Sequence, residues 1–193
     1  MIVGIDYGSK MAGTTAICCL REGQLSIVSS LKNHDADQFI LDNLSSYESQ
    51  ISVYIDSPLS LPGVYTGLED CQDYFYRKSD KELSAMSPMF LGGLTARAMK
   101  LKSNLLPYGH QVLEAYPGGL ARLNDLKSSG YKKETNKIAV VTQRLLNQFD
   151  LTLELSPKTW HEVDALIAFC IGLKHQNGTA HEVGDPREGT ILY

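Results

Sequence analysis

The chain has 193 residues, 43% of them hydrophobic and 21% charged, which is typical of one globular domain with a sizeable core. Its apolar runs are far shorter than the roughly 20 residues of a membrane-spanning helix, and Asp6 interrupts the apolar N-terminal stretch, so we expect no membrane association and no signal peptide. The four cysteines lack C-x-x-C spacing, which predicts reduced thiols, no structural zinc and a cytoplasmic protein.

The charge is unevenly distributed along the chain. The net charge of −4 argues against a protein that coats nucleic acid generally. Residues 77–137, however, contain 11 Lys and Arg against 5 Asp and Glu. This excess predicts a basic face for an anionic partner. Solvated, Lys-rich helix faces explain the same pattern, and the sequence leaves both interpretations open.

The sequence pattern of the first third of the chain predicts mostly strands. Segments rich in β-branched and small apolar residues predict strands at 1–6, 14–20, 25–29 and 51–56. The short connections between the first three predict an antiparallel meander. Between the third and fourth strands, residues 33–49 have an apolar face at helical spacing, with Asn33 or Asp35 as the N-cap.

The rest of the chain predicts mostly helices. A leucine stripe predicts a helix over 90–105, and Thr159 with Glu162 forms a capping box that begins the last long helix. Further elements are expected as a strand at 111–117, helices at 120–126, 136–149 and 160–174, a basic loop at 127–133 and a hairpin at 179–193. Residues 64–89 show no clear pattern. The order predicts a single α/β domain over residues 1–193.

Four acidic residues are placed at or near the ends of these elements. Asp6 and Asp56 end strands, Glu114 lies late in a strand, and Asp164 lies in the first turns of the last long helix. Several carboxylates that meet at one sheet edge repel each other unless a divalent cation neutralises them. Because hard oxygen ligands favour Mg²⁺ or Mn²⁺ over zinc, the pattern favours such a metal site.

Simpler interpretations exist for each acid alone. An Asp at the end of a strand is often a turn or cap residue. Glu114 could pair with Lys102 or Arg122, and Asp164 with a neighbouring cation. The four acids in comparable positions favour the metal site over these alternatives.

Four short motifs in a fixed order carry a resemblance to a known family. They are Val3-Gly4-Ile5-Asp6-Tyr7-Gly8, Tyr54-Ile55-Asp56-Ser57-Pro58-Leu59, Glu114-Ala115-Tyr116-Pro117 and His161-Glu162-Val163-Asp164-Ala165-Leu166. Their order resembles a family of predicted RNase H-like nucleases, catalogued as domain of unknown function 429. The resemblance covers nearly the whole chain.

The resemblance implies both a fold and a set of ligands. The implied fold is RNase H-like α/β, in which a mixed five-stranded sheet combines a three-strand antiparallel meander with β-α units and has helices on both faces. It implies two divalent metals, Mg²⁺ or Mn²⁺, for phosphodiester hydrolysis. By motif, Asp6 is the bridging ligand, Asp56 and Glu114 are further ligands, and Asp164 is the acid from the last helix.

Other residues are candidates for supporting roles. The family often has a second acid where His161 stands, and His161 is a candidate proton carrier or simply an exposed histidine in the first turn. Cations expected to hold the backbone of a nucleic acid are Lys10, Arg77, Lys78, Arg97 and Lys102.

The predicted function is therefore divalent-metal-dependent cleavage of DNA or RNA. One alternative is a non-catalytic nucleic-acid or nucleotide-binding module with the same fold. Another is an actin-like phosphotransferase of the ATPase type, whose first strand also ends in Asp-x-Gly. No second Gly-rich phosphate loop follows the fourth strand, which weighs against the phosphotransferase.

Overall fold

A central mixed sheet organises the chain. The structure, a computed structural model, describes residues 1–21, 23–45, 47 and 49–193. Its five strands are β1 (Ile2–Asp6), β2 (Ala16–Arg21), β3 (Gln24–Ser29), β4 (Ser52–Asp56) and β5 (Gln111–Glu114), in the order β3-β2-β1-β4-β5. Strands β1, β2 and β3 pair antiparallel, whereas β4 lies parallel to both β1 and β5. The predicted meander and the predicted mixed sheet are confirmed.

Helices cover both faces of this sheet. The chain forms α1 (Ala36–Leu44), α2 (Lys78–Leu83), α3 (Pro88–Leu91), α4 (Gly93–Leu105), α5 (Pro117–Leu123), α6 (Ile138–Phe149) and α7 (Trp160–Gln176). Apolar side chains of α1 and α4 form one core with one face of the sheet, and those of α5, α6 and α7 form a second core with the other face. Both cores follow from the alternation of side chains along the strands.

Several predicted elements differ from the expectation in their bounds. The helix predicted over 90–105 is interrupted at Gly92, which has a positive φ of 47°, the helix predicted over 120–126 lies at Pro117–Leu123, and the strand predicted over 111–117 ends at Glu114. Helix α1 is shorter than the predicted span 33–49, because Asp35 caps its N-terminus and Asn33 has a positive φ of 65°. Ser46 and Glu48 of that span lie outside the described residues. The expected C-terminal hairpin forms from β6 (Glu182–Asp185) and β7 (Gly189–Leu192).

Among the helices of the described residues, none combines the length and the apolar character needed to cross a membrane.

The packing of α7 on β1 depends on two glycines. A Cβ atom added to Gly4 would lie 2.2 Å from the backbone nitrogen of Phe169 and 2.4 Å from the carbonyl oxygen of Ala165. At the other end of the contact, a Cβ on Gly172 would lie 2.6 Å from side-chain atoms of Ile2 and Tyr54. The helix therefore lies directly on the strand backbone, closer than any side chain on β1 would allow.

We expect the Gly4→Ala substitution to lower the free energy of unfolding by about 1–3 kcal/mol or more, because the backbone of α7 cannot yield as a flexible side chain can. Urea unfolding measures this change. Gly93→Ala is the matched control, because an added Cβ there meets no atom within 4 Å and alanine favours a helix. Equal stabilities of Gly4→Ala and the native protein would contradict the role of the close approach.

Candidate metal centre

Three of the four predicted acids converge at one edge of the sheet. Asp6 and Asp56 end the parallel neighbours β1 and β4 and are partners in their register. Asp164, in the second turn of α7, reaches the same point, and one carboxylate oxygen from each of the three lies within 4.8 Å of the others. Asp6 and Asp164 are buried, and Asp56 is half-buried.

The N-terminus of α7 fixes the position of Asp164. As predicted, Thr159 is the N-cap and accepts a hydrogen bond from the backbone N–H of Glu162, whose side chain in turn accepts from the N–H of Thr159. Glu162 also accepts a 3.0 Å hydrogen bond from the hydroxyl of Ser29, which ties the helix to β3. The capping box and the contact at Gly4 together place the first turns of α7 beside the ends of the strands.

Asp164 has two strong partners that the sequence did not single out. The hydroxyl of Tyr131 donates to its Oδ1 at 2.5 Å, and the Lys132 ammonium lies 2.6 Å from its Oδ2. The Tyr131 ring packs edge-on against Trp160, with centroids 5.5 Å apart. Both partners lie in the predicted basic loop, where only the charge of the loop, and no residue spacing, indicated a role.

Asp6 is paired with His161. The Nδ1 of His161 lies 2.7 Å from Oδ2 of Asp6, and the imidazole remains about half exposed. This hydrogen bond, supported by the charge of Asp6, raises the pKa of His161. The imidazole of His161 is thus in contact with Asp6 and with solvent at the same time.

The carboxylate cluster carries more negative charge than the neighbouring cationic side chains neutralise. Among the described residues, none donates a hydrogen bond to Asp56, and burial together with the charges of Asp6 and Asp164 raises its pKa well above the usual value. Burial also raises the pKa of Asp164 to about 6, with a further contribution from Asp6, although Lys132 acts against it. A cation at this point would relieve the repulsion.

Glu114 reaches the same end of the sheet but has a different partner. Both of its oxygens accept hydrogen bonds of 2.7 Å from the Arg77 guanidinium, and Oε2 also accepts from the backbone N–H of Leu59. It therefore lies outside the cluster of three acids, and it pairs with neither Lys102 nor Arg122. Burial nevertheless raises the pKa of Glu114, although Arg77 opposes the shift.

Arg77 is fully buried. A side chain that contacts a nucleic-acid backbone would have to face solvent, and Arg77 does not. Besides Glu114, its guanidinium binds both carboxylate oxygens of Asp80 and donates to the hydroxyl of Ser60. This one side chain joins β5, the N-terminus of α2 and the loop that follows β4. Its position corrects the expected role: Arg77 supports the walls of the site from inside the protein.

The other predicted cations pair with acids outside the cluster or lie exposed. Lys10 pairs with Asp35 at 3.0 Å, and Arg97 binds both oxygens of Asp37 and covers the ring of Tyr7. Lys78 and Lys102 are exposed. Of the predicted cations, none pairs with the three clustered acids in the described part of the chain. That contact is made by Lys132, which was not among them.

A cavity of about 240 Å³ opens beside the carboxylates. Asp6, Asp56 and Glu114 line it together with an apolar wall that includes Met86, Leu91 and Leu94. Ser57 also lines this cavity, and its buried hydroxyl has no hydrogen-bond partner within the described residues. Since a buried hydroxyl is normally hydrogen-bonded, Ser57 stands out as a polar group in the cavity wall that is left without a partner among the described residues.

A scan against protein-family models gives no match for this chain, and a search of the curated proteins gives none either. The resemblance to the RNase H-like family therefore stays a prediction from the four motifs. The geometry of the carboxylates stands independently of it.

We expect Asp56→Asn to raise the free energy of unfolding at pH 7.5 in the presence of EDTA. A carboxyl group whose pKa is higher in the folded than in the unfolded state destabilises the fold once it is ionised. That penalty is absent below the unfolded pKa of about 3.9 and complete above the folded pKa, so the advantage of the variant should vanish near pH 3.5. Urea unfolding at the two pH values measures it. A variant less stable than the native protein at pH 7.5 would contradict the repulsion within the cluster.

Arg77→Met should cost about 3–5 kcal/mol of folding free energy, because it leaves two buried carboxylates, Glu114 and Asp80, without their cation. The measurement is again urea unfolding. Arg187→Met serves as the control, because Arg187 also pairs with two acids, Asp70 and Asp185, but does so in solvent. If the two variants lose similar stability, the Arg77 network is no more than an ordinary surface contact.

Proposed function

We propose that this protein hydrolyses phosphodiester bonds with the help of a divalent metal ion. The observation that carries the proposal is the convergence of Asp6, Asp56 and Asp164 from three separate elements, with oxygens within 4.8 Å of one another. A purely structural carboxylate is usually paired or hydrogen-bonded, whereas Asp56 has neither kind of partner among the described residues.

The residues present fit Mg²⁺ or Mn²⁺. The cluster offers only carboxylate oxygens, and both ions prefer hard oxygen ligands. Burial, and to a smaller extent the neighbouring carboxylates, raise the pKa values of Asp56 and Asp164, and a bound ion would favour their charged forms. Asp6 and Asp56 line the cavity directly, so an ion held by them is accessible to a ligand there.

The chemistry divides between the ion and the side chains. When bound, the ion would act as a Lewis acid on the phosphoryl group and lower the pKa of a bound water. His161, which bridges Asp6 and solvent, is placed to accept or deliver a proton. Arg77 holds Glu114 and the loop after β4 in place around the cavity.

Nucleic acid is the proposed substrate. The excess of Lys and Arg between residues 77 and 137 supports an anionic partner, and exposed cations in this range include Lys78, Lys102 and Lys133. The four motifs that resemble the RNase H-like nucleases support the same substrate, and the order β3-β2-β1-β4-β5 agrees with the mixed sheet that the resemblance implies.

A non-catalytic binding module is the second candidate, and one observation favours it. Lys132 and Tyr131 already occupy both oxygens of Asp164, and His161 occupies one oxygen of Asp6, so much of the cluster has partners within the chain. A module of this kind would bind nucleic acid with or without Mn²⁺ and would leave it intact.

We expect Asp6→Asn to lower the rate of Mn²⁺-dependent cleavage of single-stranded DNA and RNA oligonucleotides by roughly 100-fold or more. Loss of a group that merely supports a metal ligand typically costs about 10–100-fold, and Asp6 is a ligand itself in this proposal. Gel assays with end-labelled oligonucleotides measure the rate. Asp42→Asn is the control, because Asp42 lies exposed on α1 and contacts only Gln38 among the described side chains.

Undiminished cleavage by Asp6→Asn would refute the metal-dependent mechanism at this site. Tight binding of the oligonucleotide without any cleavage, by the native protein in Mn²⁺, would favour the binding module.

A further inference from the structure

Lys132 places a positive charge directly on the carboxylate cluster. Its ammonium lies 2.6 Å from Oδ2 of Asp164, whose side chain is buried, while the Lys132 side chain itself is about half exposed. Asp164 and neighbouring Asp56 and Asp6 favour the charged ammonium over the cost of burial, and they raise the pKa of Lys132. The lysine thus reaches from the surface to an acid in the interior.

The loop that carries Lys132 is structured to hold it there. Arg144 of α6 donates hydrogen bonds to the carbonyl oxygens of Asn124 and Asp125 and to the hydroxyls of Ser128 and Ser129. These four contacts fasten the start of the loop to the helix. The position of Lys132 therefore depends on a network of bonds across the loop.

The end of the loop is fixed as well. The backbone N–H of Tyr131 donates to the carbonyl of Leu126, its ring is buried against Trp160, and its hydroxyl binds Asp164. Lys132 follows with a φ of +54°, a conformation that non-glycine residues seldom adopt and that the surrounding contacts must impose.

From this geometry we infer that Lys132 is a built-in cation that takes the place of a second divalent ion, so that the cluster holds one ion, bound mainly by Asp6 and Asp56. The inference rests on the proposed function, because it concerns the metal of that same site. It differs from the pair of ions that the family resemblance implies.

The charges and the contacts both support a single ion. With the three carboxylates ionised and His161 neutral, the cluster carries three negative charges, of which Lys132 neutralises one and a single divalent ion neutralises the other two. A second divalent ion would add two further positive charges next to the ammonium. It would also need an oxygen of Asp164, and Tyr131 and Lys132 bind both of them.

The experiment counts Mn²⁺ ions on the full chain by isothermal titration calorimetry and by electron paramagnetic resonance. We expect the native protein to bind one Mn²⁺ with the spectrum of an isolated ion. Lys132→Met should bind a second Mn²⁺, more weakly than the first because Tyr131 still occupies one oxygen of Asp164, and should show the spectrum of two coupled ions. Lys133→Met is the matched control and should still bind one ion, since the exposed Lys133 makes no ion pair among the described residues. Circular dichroism checks that each variant folds.

Every other result contradicts either the role of Lys132 or the proposed function. Two ions on the native protein would overturn the role of Lys132 while leaving the proposed metal-dependent function intact. Lys132→Met that folds and binds only one ion would do the same. Absence of Mn²⁺ binding by the native protein would instead overturn the proposed function, and the inference with it.

Discussion

The close contact between β1 and α7 is the constraint on which the site depends. Gly4 lets the backbone of the helix rest on the backbone of the strand, so the carbonyl of Ala165 lies where a strand side chain would otherwise be. The neighbouring residue on the helix, Asp164, is thereby brought to the end of the strand, where Asp6 stands. A side chain at position 4 would hold the helix farther from the sheet, and with it the carboxylate of Asp164 farther from those of the strands.

Two groups of acids near the same end of the sheet differ in how fully neighbouring cations neutralise their charge. Glu114 and Asp80 share the buried guanidinium of Arg77, which satisfies them with short, charge-assisted hydrogen bonds. The cluster of Asp6, Asp56 and Asp164 is compensated only in part, by Lys132 and by a histidine that is neutral in one of its two forms. The first group stabilises the frame of the cavity. The second retains uncompensated negative charge, and unfavourable charge of this kind is common at functional sites, which supports the proposed role of the cluster.

Much of the fold could be predicted from the sequence, because strands with alternating or continuous apolar character and short connections leave few arrangements. The proximity of Asp6 and Asp56 also followed, since both end neighbouring parallel strands, and the capping box correctly located the start of α7. The partner of Glu114 did not follow. Arg77 lies 37 residues earlier, in a stretch without periodicity, and only the tertiary structure brings it to β5. Lys132 was missed for a related reason: its direction is set by a loop with a positive φ, which composition does not specify.

Asp6 and His161 lie 155 residues apart along the chain. This separation affects when the site can form during synthesis of the protein. The strand β1 emerges well before α7, because these 155 residues separate Asp6 from its partner His161. Contacts between residues so far apart in sequence form late, because the entropy of closing the long loop must be overcome first. An incomplete chain on the ribosome would present Asp6 and Asp56 without the third carboxylate, the lysine or the histidine. The order of translation thus leaves the cluster unassembled until α7 has emerged and packed on β1.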